Sequence, residues 1–155
     1  MSGTLVSIYT TPDAGAPMES HDEATAVAGS GLVGDRYSAG AGTFSGNEGA
    51  GREVTLIARE GIEAANRDGV TIEPHETRRN LVTEGIDLDE LVGRTFAVGE
   101  AILVGVRDCP PCAYLEKVTR PGVRVALDKR GGLRADVVRD GVIRVGDKIS
   151  EVHTV

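Results

Sequence analysis

The sequence predicts a mainly β, barrel-like domain of antiparallel or mixed strands with a few short helices. Three observations carry that expectation. Short β-prone runs recur at roughly ten-residue spacing, a pattern of sandwiches and barrels. Two-residue turn signals, Gly99-Glu100 and Asp140-Gly141, sit between pairs of such runs. Strands do not alternate regularly with long helices, which argues against a doubly wound sheet.

Taken in order, Thr4 to Thr10 is a β-prone run and residues 12 to 21 form a polar loop. Ala24, Ala26 and Ala28 alternate with Thr25, Val27 and Gly29, a weak strand signal. Gly31 to Tyr37 leads into a Gly/Ser-rich stretch, 38 to 51, that cannot form a regular element and reads as a mobile or ligand-binding loop. Glu53 to Ala58 is a strand, and Arg59 to Arg67 is a short helix ending near Asp68-Gly69. After a connection through Pro74, Thr77 to Thr83 returns to β character. Strict alternation there would put Arg78 and Asn80 on one face and Arg79 on the other. Asp87 to Val92 fits one helical turn capped by Asp87 and stopped by Gly93.

Two hairpins are expected next: Arg94–Val98 with Ala101–Val106, and Leu133–Arg139 with Val142–Val145. Between them, Cys112 to Thr119 can be helical, Pro121-Gly122 breaks the chain, and Val123 to Lys129 can be helical again. Lys148 to His153 is a last strand. The expectation is about seven to nine strands and two to four short helices, in a single domain over residues 1–155.

The net charge of −7 argues against general nucleic-acid binding, which needs a basic face. Five aromatic residues and no Trp leave little for a base-stacking platform. No apolar run approaches the roughly 20 residues of a membrane helix. The first residues carry no basic-then-apolar signal pattern, so no membrane association and a cytoplasmic location are expected. Of 17 basic residues, 14 are Arg, the side chain suited to bidentate clamping of planar or phosphorylated anions.

Chemistry concentrates in Asp108-Cys-Pro-Pro-Cys-Ala-Tyr-Leu115, which holds both cysteines. It follows an apolar strand and precedes a helix, and a thiol at such a junction lies near backbone N–H groups that favour a thiolate. As a zinc half-site, Cys109 and Cys112 lack a second pair, because His21, His75 and His153 are scattered. As a redox dithiol they lack a βαβ context. As one nucleophilic or metal-ligating thiolate, Cys112 is the better placed. Two buried small hydrophobes is the plain alternative. Three other motifs offer anion contacts: Gly34-Asp35-Arg36, Arg78-Arg79-Asn80, and Arg130-Gly131-Gly132-Leu133-Arg134. Each reads equally well as a turn, an edge strand or a bend with solvated charges.

An ordered set of segments carries a family likeness: Gly31-Leu-Val-Gly-Asp-Arg-Tyr37, Arg52-Glu-Val-Thr-Leu-Ile57, Arg79-Asn-Leu-Val-Thr-Glu-Gly-Ile-Asp-Leu88, Val98-Gly-Glu-Ala-Ile-Leu103, Pro111-Cys112 and Val145-Gly-Asp147. Together, from about residue 4 to 152, the chain resembles the MOSC family, named for the molybdenum-cofactor sulfurase C-terminus, and in particular its small stand-alone bacterial members.

The resemblance implies a pyruvate-kinase-barrel-like fold. It also implies binding of molybdenum cofactor (molybdopterin), or sulfur carriage for it, through Cys112. That residue would ligate molybdenum or hold a persulfide. Asp35, Arg36, Arg79, Asn80, Gly132 and Arg134 are the expected cofactor contacts. The expected partners are a small-molecule cofactor or sulfur donor, and a separate reductase or cysteine desulfurase. The alternatives are a molybdenum-dependent reductase of N-hydroxylated compounds, fed by that separate donor, and a divergent member that binds another small anion. Two positions depart from the family pattern: Tyr37 stands where His is common, and Arg79 where Glu is common. Both alter the charge preference of a bound ligand.

Overall fold

A computed structural model of the chain describes residues 2–38 and 50–153. Most of the Gly/Ser-rich stretch, on which a binding loop was expected, lies outside the described residues. The strands are β1 (Ser2–Thr10), β2 (Glu19–His21), β3 (Glu23–Val27), β4 (Gly31–Leu32), β5 (Val54–Ala58), β6 (Leu81–Glu84), β7 (Thr95–Val98), β8 (Ala101–Asp108), β9 (Leu133–Arg139), β10 (Gly141–Arg144) and β11 (Lys148–Glu151). The α-helices are α1 (Arg59–Arg67), α2 (Ala113–Val118) and α3 (Val123–Ala126). Two 3-10 turns, Pro74–Thr77 and Leu88–Leu91, complete the set.

Seven strands in the order β11-β7-β8-β9-β5-β6-β1 form a ring that closes where β1 pairs antiparallel with β11, Gly3 opposite Ile149. Closure removes the free sheet edges that invite aggregation. Within the ring the β5–β6 pair alone is parallel, and α1 makes the crossover between them. β2 extends β1 outside the ring, and β10, β3 and β4 form a separate small sheet. No helix among the described residues is long and apolar enough to cross a membrane.

The alternation of side chains along the strands sets two cores. Leu5, Leu56, Leu81, Phe96, Leu103, Leu133 and Ile149, one or more from each ring strand, fill the barrel. Ile57 and Val82, one residue on from Leu56 and Leu81, point outward against Ile62 and Ala65 of α1, Leu115 of α2, and Val123 and Leu127. β5 is thus apolar on both faces, as a strand buried on both sides must be. This outer core ties α2 and α3 to the barrel and fixes the end of the cysteine segment.

The first hairpin forms as the sequence implies. Val98 pairs with Ala101, and Gly99 takes a positive φ of 55° at the first turn position. The second does not form. β9 pairs with β8 and β5, while β10 leaves to pair with β3, Ile143 opposite Ala24. The Asp140 carboxylate, expected in a tight turn, accepts a hydrogen bond from the Ala28 N–H at 2.7 Å and so ties the small sheet to the barrel. The strand expected over Thr77–Thr83 begins only at Leu81. Before it, the 3-10 turn ends on Arg78 in a left-handed conformation, φ 60°. That break cancels the strand alternation, so Arg79 and Asn80 are both buried.

Candidate functional site

The site grows from the end of the β8–β9 ladder. Their pairing runs to Asp108 opposite Leu133, and Cys109 N–H continues it by donating to the Gly132 carbonyl at 2.8 Å. Cys109 is buried, with 1% of its surface exposed. The chain then turns over Pro110 and Pro111 to Cys112, which is half-buried, extended, and directly precedes α2. The Cys109–Pro111 turn lies so close to Gly131 that a Cβ there would strike the Cys109 carbonyl oxygen and Pro111. The Gly-Gly bend, which the sequence offers as an anion contact, is therefore needed first for this close approach of two loops.

Arg79 locks that approach. Its Nε donates to the Gly131 carbonyl at 2.9 Å, and its Nη2 to the carbonyls of Cys109 at 3.0 Å and Pro110 at 3.3 Å. Its Nη1 also donates to the Thr77 carbonyl at 3.4 Å, so one buried guanidinium with four carbonyl acceptors replaces the water those carbonyls would otherwise need.

A narrow cleft of about 30 Å³ opens beside the Cys112 side chain. Arg36, Arg78, Arg79 and Arg134 line it, and Tyr37 and Tyr114 flank them. Arg36 donates to Asp35 at 3.1 Å and to the Arg78 carbonyl at 2.9 Å, and its guanidinium lies 4.5 Å from the Tyr37 ring centre. Arg134 donates to the Gly51 carbonyl at 3.4 Å. Arg78 donates Nη1 to the Ala16 carbonyl at 2.8 Å, but its buried Nη2 has no partner among the described residues. Burial first, and the like charge of Arg36 second, pull the Arg78 guanidinium below its usual pKa range. Arg52, beside Arg107 and Arg134, is pulled down in the same direction, by burial first and then by those two cations. Its buried Nε is likewise without a partner among the described residues. In a chain of net charge −7, four arginines thus line one cleft with one thiol, and Arg52 and Arg107 lie near Arg134. Such a cluster favours an anion.

Of the expected contacts, Arg36, Arg79, Arg134 and Cys112 line this cleft. Asp35, Asn80 and Gly132 are not among its lining residues. Asp35 is fully buried and accepts from the N–H groups of Thr11 at 3.2 Å and Tyr37 at 3.3 Å, so it pins the loop that presents Arg36. Asn80 is spent between strands. Its Oδ1 accepts from the Thr55 N–H at 3.0 Å, and its amide donates to the Tyr9 carbonyl at 3.1 Å. Gly132, at φ 110°, leaves room for the Leu56 carbonyl, where a Cβ would collide. Arg78, quoted in the sequence motif but not chosen as a contact, is the residue with an unsatisfied donor at the cleft. Pro74 at the start of the turn, with Glu76 accepting from the Glu73 N–H at 2.9 Å, was the local sign that no strand begins there.

The molybdenum cofactor can be tested against this site. The donor set matches, with a soft thiol for the metal and guanidiniums for the phosphate. The space does not. One water needs roughly 10–15 Å³ measured this way, so about 30 Å³ admits two or three water-sized atoms. Ligand pockets for larger molecules run to several hundred. A pterin ring does not fit within this cleft.

A family model described as the MOSC domain matches residues 32–150. The chain belongs to the MOSC domain family, which is associated with molybdenum-cofactor binding and sulfur transfer. No functionally curated protein matches it. Among solved structures it is similar to the YUAD protein from Bacillus subtilis, at 18% identity and a TM-score of 0.80, over 99% of this chain and 98% of that one. It is also similar to YiiM from Escherichia coli, at 20% identity and 0.71, over 100% of this chain and 71% of that one. YiiM from Geobacillus stearothermophilus aligns at 17% identity and 0.69, over 97% and 75%. At these identities the likeness establishes the fold.

Proposed function

We propose that this MOSC protein is a sulfur carrier that acts through Cys112, with the molybdenum cofactor's sulfur as the family-typical cargo. The observation that supports the reading is the single half-buried thiol in a cleft with room for a few atoms, lined also by Arg78, whose Nη2 has no partner among the described residues. A terminal persulfide is an anion one sulfur atom longer than a thiolate, and it matches that space and that charge. The arginines would hold it ionised and shielded from bulk water. Cys109 is buried and joined to β9, so it belongs to the scaffold of the site in this reading.

The test is to supply cysteine and a cysteine desulfurase, then measure intact mass without reductant, beside metal and pterin analysis of protein from a molybdenum-competent host. The carrier reading expects wild type heavier by one sulfur and Cys112→Ala unchanged. Retention of about one molybdenum per chain, with reduction of a hydroxylamine by an artificial electron donor, would instead support a molybdenum-dependent reductase served by a separate donor protein. Neither sulfur nor metal on Cys112 would leave the binding of some other small anion.

A further inference from the structure

We infer that Cys112 is loaded by thiosulfate, a small sulfane-sulfur dianion, rather than only by another protein's persulfide. The inference rests on the carrier reading and names the donor class.

Three features of the cleft point to it. Its volume, about 30 Å³, takes the outer sulfur and part of a sulfonate, with the remainder at the mouth. A sulfonate presents three acceptor oxygens. Arg78 lines the cleft and its buried Nη2 has no acceptor among the described residues, while Arg36 and Arg134 line the same cleft. Third, a dianion approaching a thiolate is repelled unless cations lie between or beside them, and the site supplies guanidiniums on the approach. A persulfide delivered on a partner's flexible loop would carry a single charge and would not need several arginines.

The step balances without a further reagent. The Cys112 thiolate attacks the outer sulfur, and a new Sγ–S bond forms from the thiolate's electron pair. The bond between the two donor sulfurs breaks, and its pair departs with sulfite. The thiolate and thiosulfate dianion become a persulfide anion and a sulfite dianion, with no proton moved. Charge gathers on the sulfonate oxygens as sulfite leaves, which is where the arginine N–H groups act.

The experiment incubates the intact chain with thiosulfate and follows released sulfite together with intact mass. One sulfite per chain is expected, with wild type heavier by one sulfur and Cys112→Ala inert. Arg78→Asn removes the guanidinium yet suits the left-handed backbone at φ 60°, and should slow loading about a hundredfold. A second measurement needs no variant. A bulky aryl thiosulfonate, which gives up its outer sulfur and leaves as a sulfinate, is followed by intact mass; its loading rate, divided by that with free cysteine, should be lower than that of thiosulfate on the same scale. No sulfite release from a chain that a cysteine desulfurase does load would overturn this donor class and leave the carrier reading standing. Loading by neither would overturn both. Equal rates for wild type and Arg78→Asn, or no discrimination against the bulky donor, would also overturn it.

Discussion

Arg79 donates from its guanidinium to the carbonyl oxygen of Cys109 at 3.0 Å, across 30 residues of sequence. The bond joins the turn before β6 to the segment that carries the reactive thiol. The same side chain reaches Gly131 and Pro110, so one cation fixes both sides of the cysteine turn.

Removing that cation should therefore be costly. Arg79→Ala leaves four carbonyls without this donor and is expected to destabilise the fold by about 3 kcal/mol. Arg79→Lys keeps the charge but lacks the planar fork, so it should recover only part of the loss. Urea unfolding midpoints at constant m-value check both.

Asn80→Ala should cost about 2 kcal/mol, because the Thr55 and Tyr9 backbone groups lose a buried partner. The native-state rate of Cys112 alkylation should stay within about twofold of wild type, since Asn80 does not line the cleft. Urea unfolding and a timed mass assay separate the two effects.

Gly132→Ala should cost about 3 kcal/mol or more. The new Cβ meets the Leu56 carbonyl oxygen, and the φ of 110° disfavours any L side chain. Thermal unfolding of the variant checks it. If the residue merely approached a ligand, stability would hardly change.

Two carboxylates give opposite pH signatures. Burial first, then the charge of Asp136, raises Glu53 above its ordinary 4.5. Its folded form holds the proton more tightly than the unfolded form. Its contribution is thus fully present below the unfolded value and lost as pH rises through the folded one. Glu53→Gln should remove that loss and gain on wild type from 4.5 upward. The hydrogen bond from Arg120, first, and the Glu73 N–H lower Glu76. The stability it gives is present above 4.5 and lost as pH falls through the lowered value. Arg120→Gln should flatten that acid limb. Unfolding free energies measured across about pH 3 to about pH 7 test both signs.

The barrel was legible because its signals are local. The β5 run, the Gly99-Glu100 turn and the Asp87 cap each act within a few residues, and Asp87 does accept from the Asp89 N–H. The second hairpin was misread for the opposite reason. Asp140-Gly141 favours a tight turn, but burying Ile143 against β3 and satisfying the Ala28 N–H decide where β10 goes. At the site, sequence order found four of the lining groups. It could not show which guanidiniums are already satisfied. Arg79 and Asn80 directly follow Arg78, yet both are spent on backbone carbonyls and N–H groups, while Arg78, the left-handed residue at the end of the turn, keeps a donor without a partner among the described residues. Such accounting depends on residues far apart in the chain, such as Ala16 and Gly131.

The most direct test of sulfur carriage is fragment-ion mass mapping after loading, with thiols blocked before digestion, on the Asp108–Lys117 peptide that carries both cysteines. The extra sulfur should sit on the fragments that contain Cys112 and not on those that contain Cys109 alone, and vanish in Cys112→Ala. Sulfur on Cys109, or equal loading of wild type and Cys112→Ala, would contradict the account.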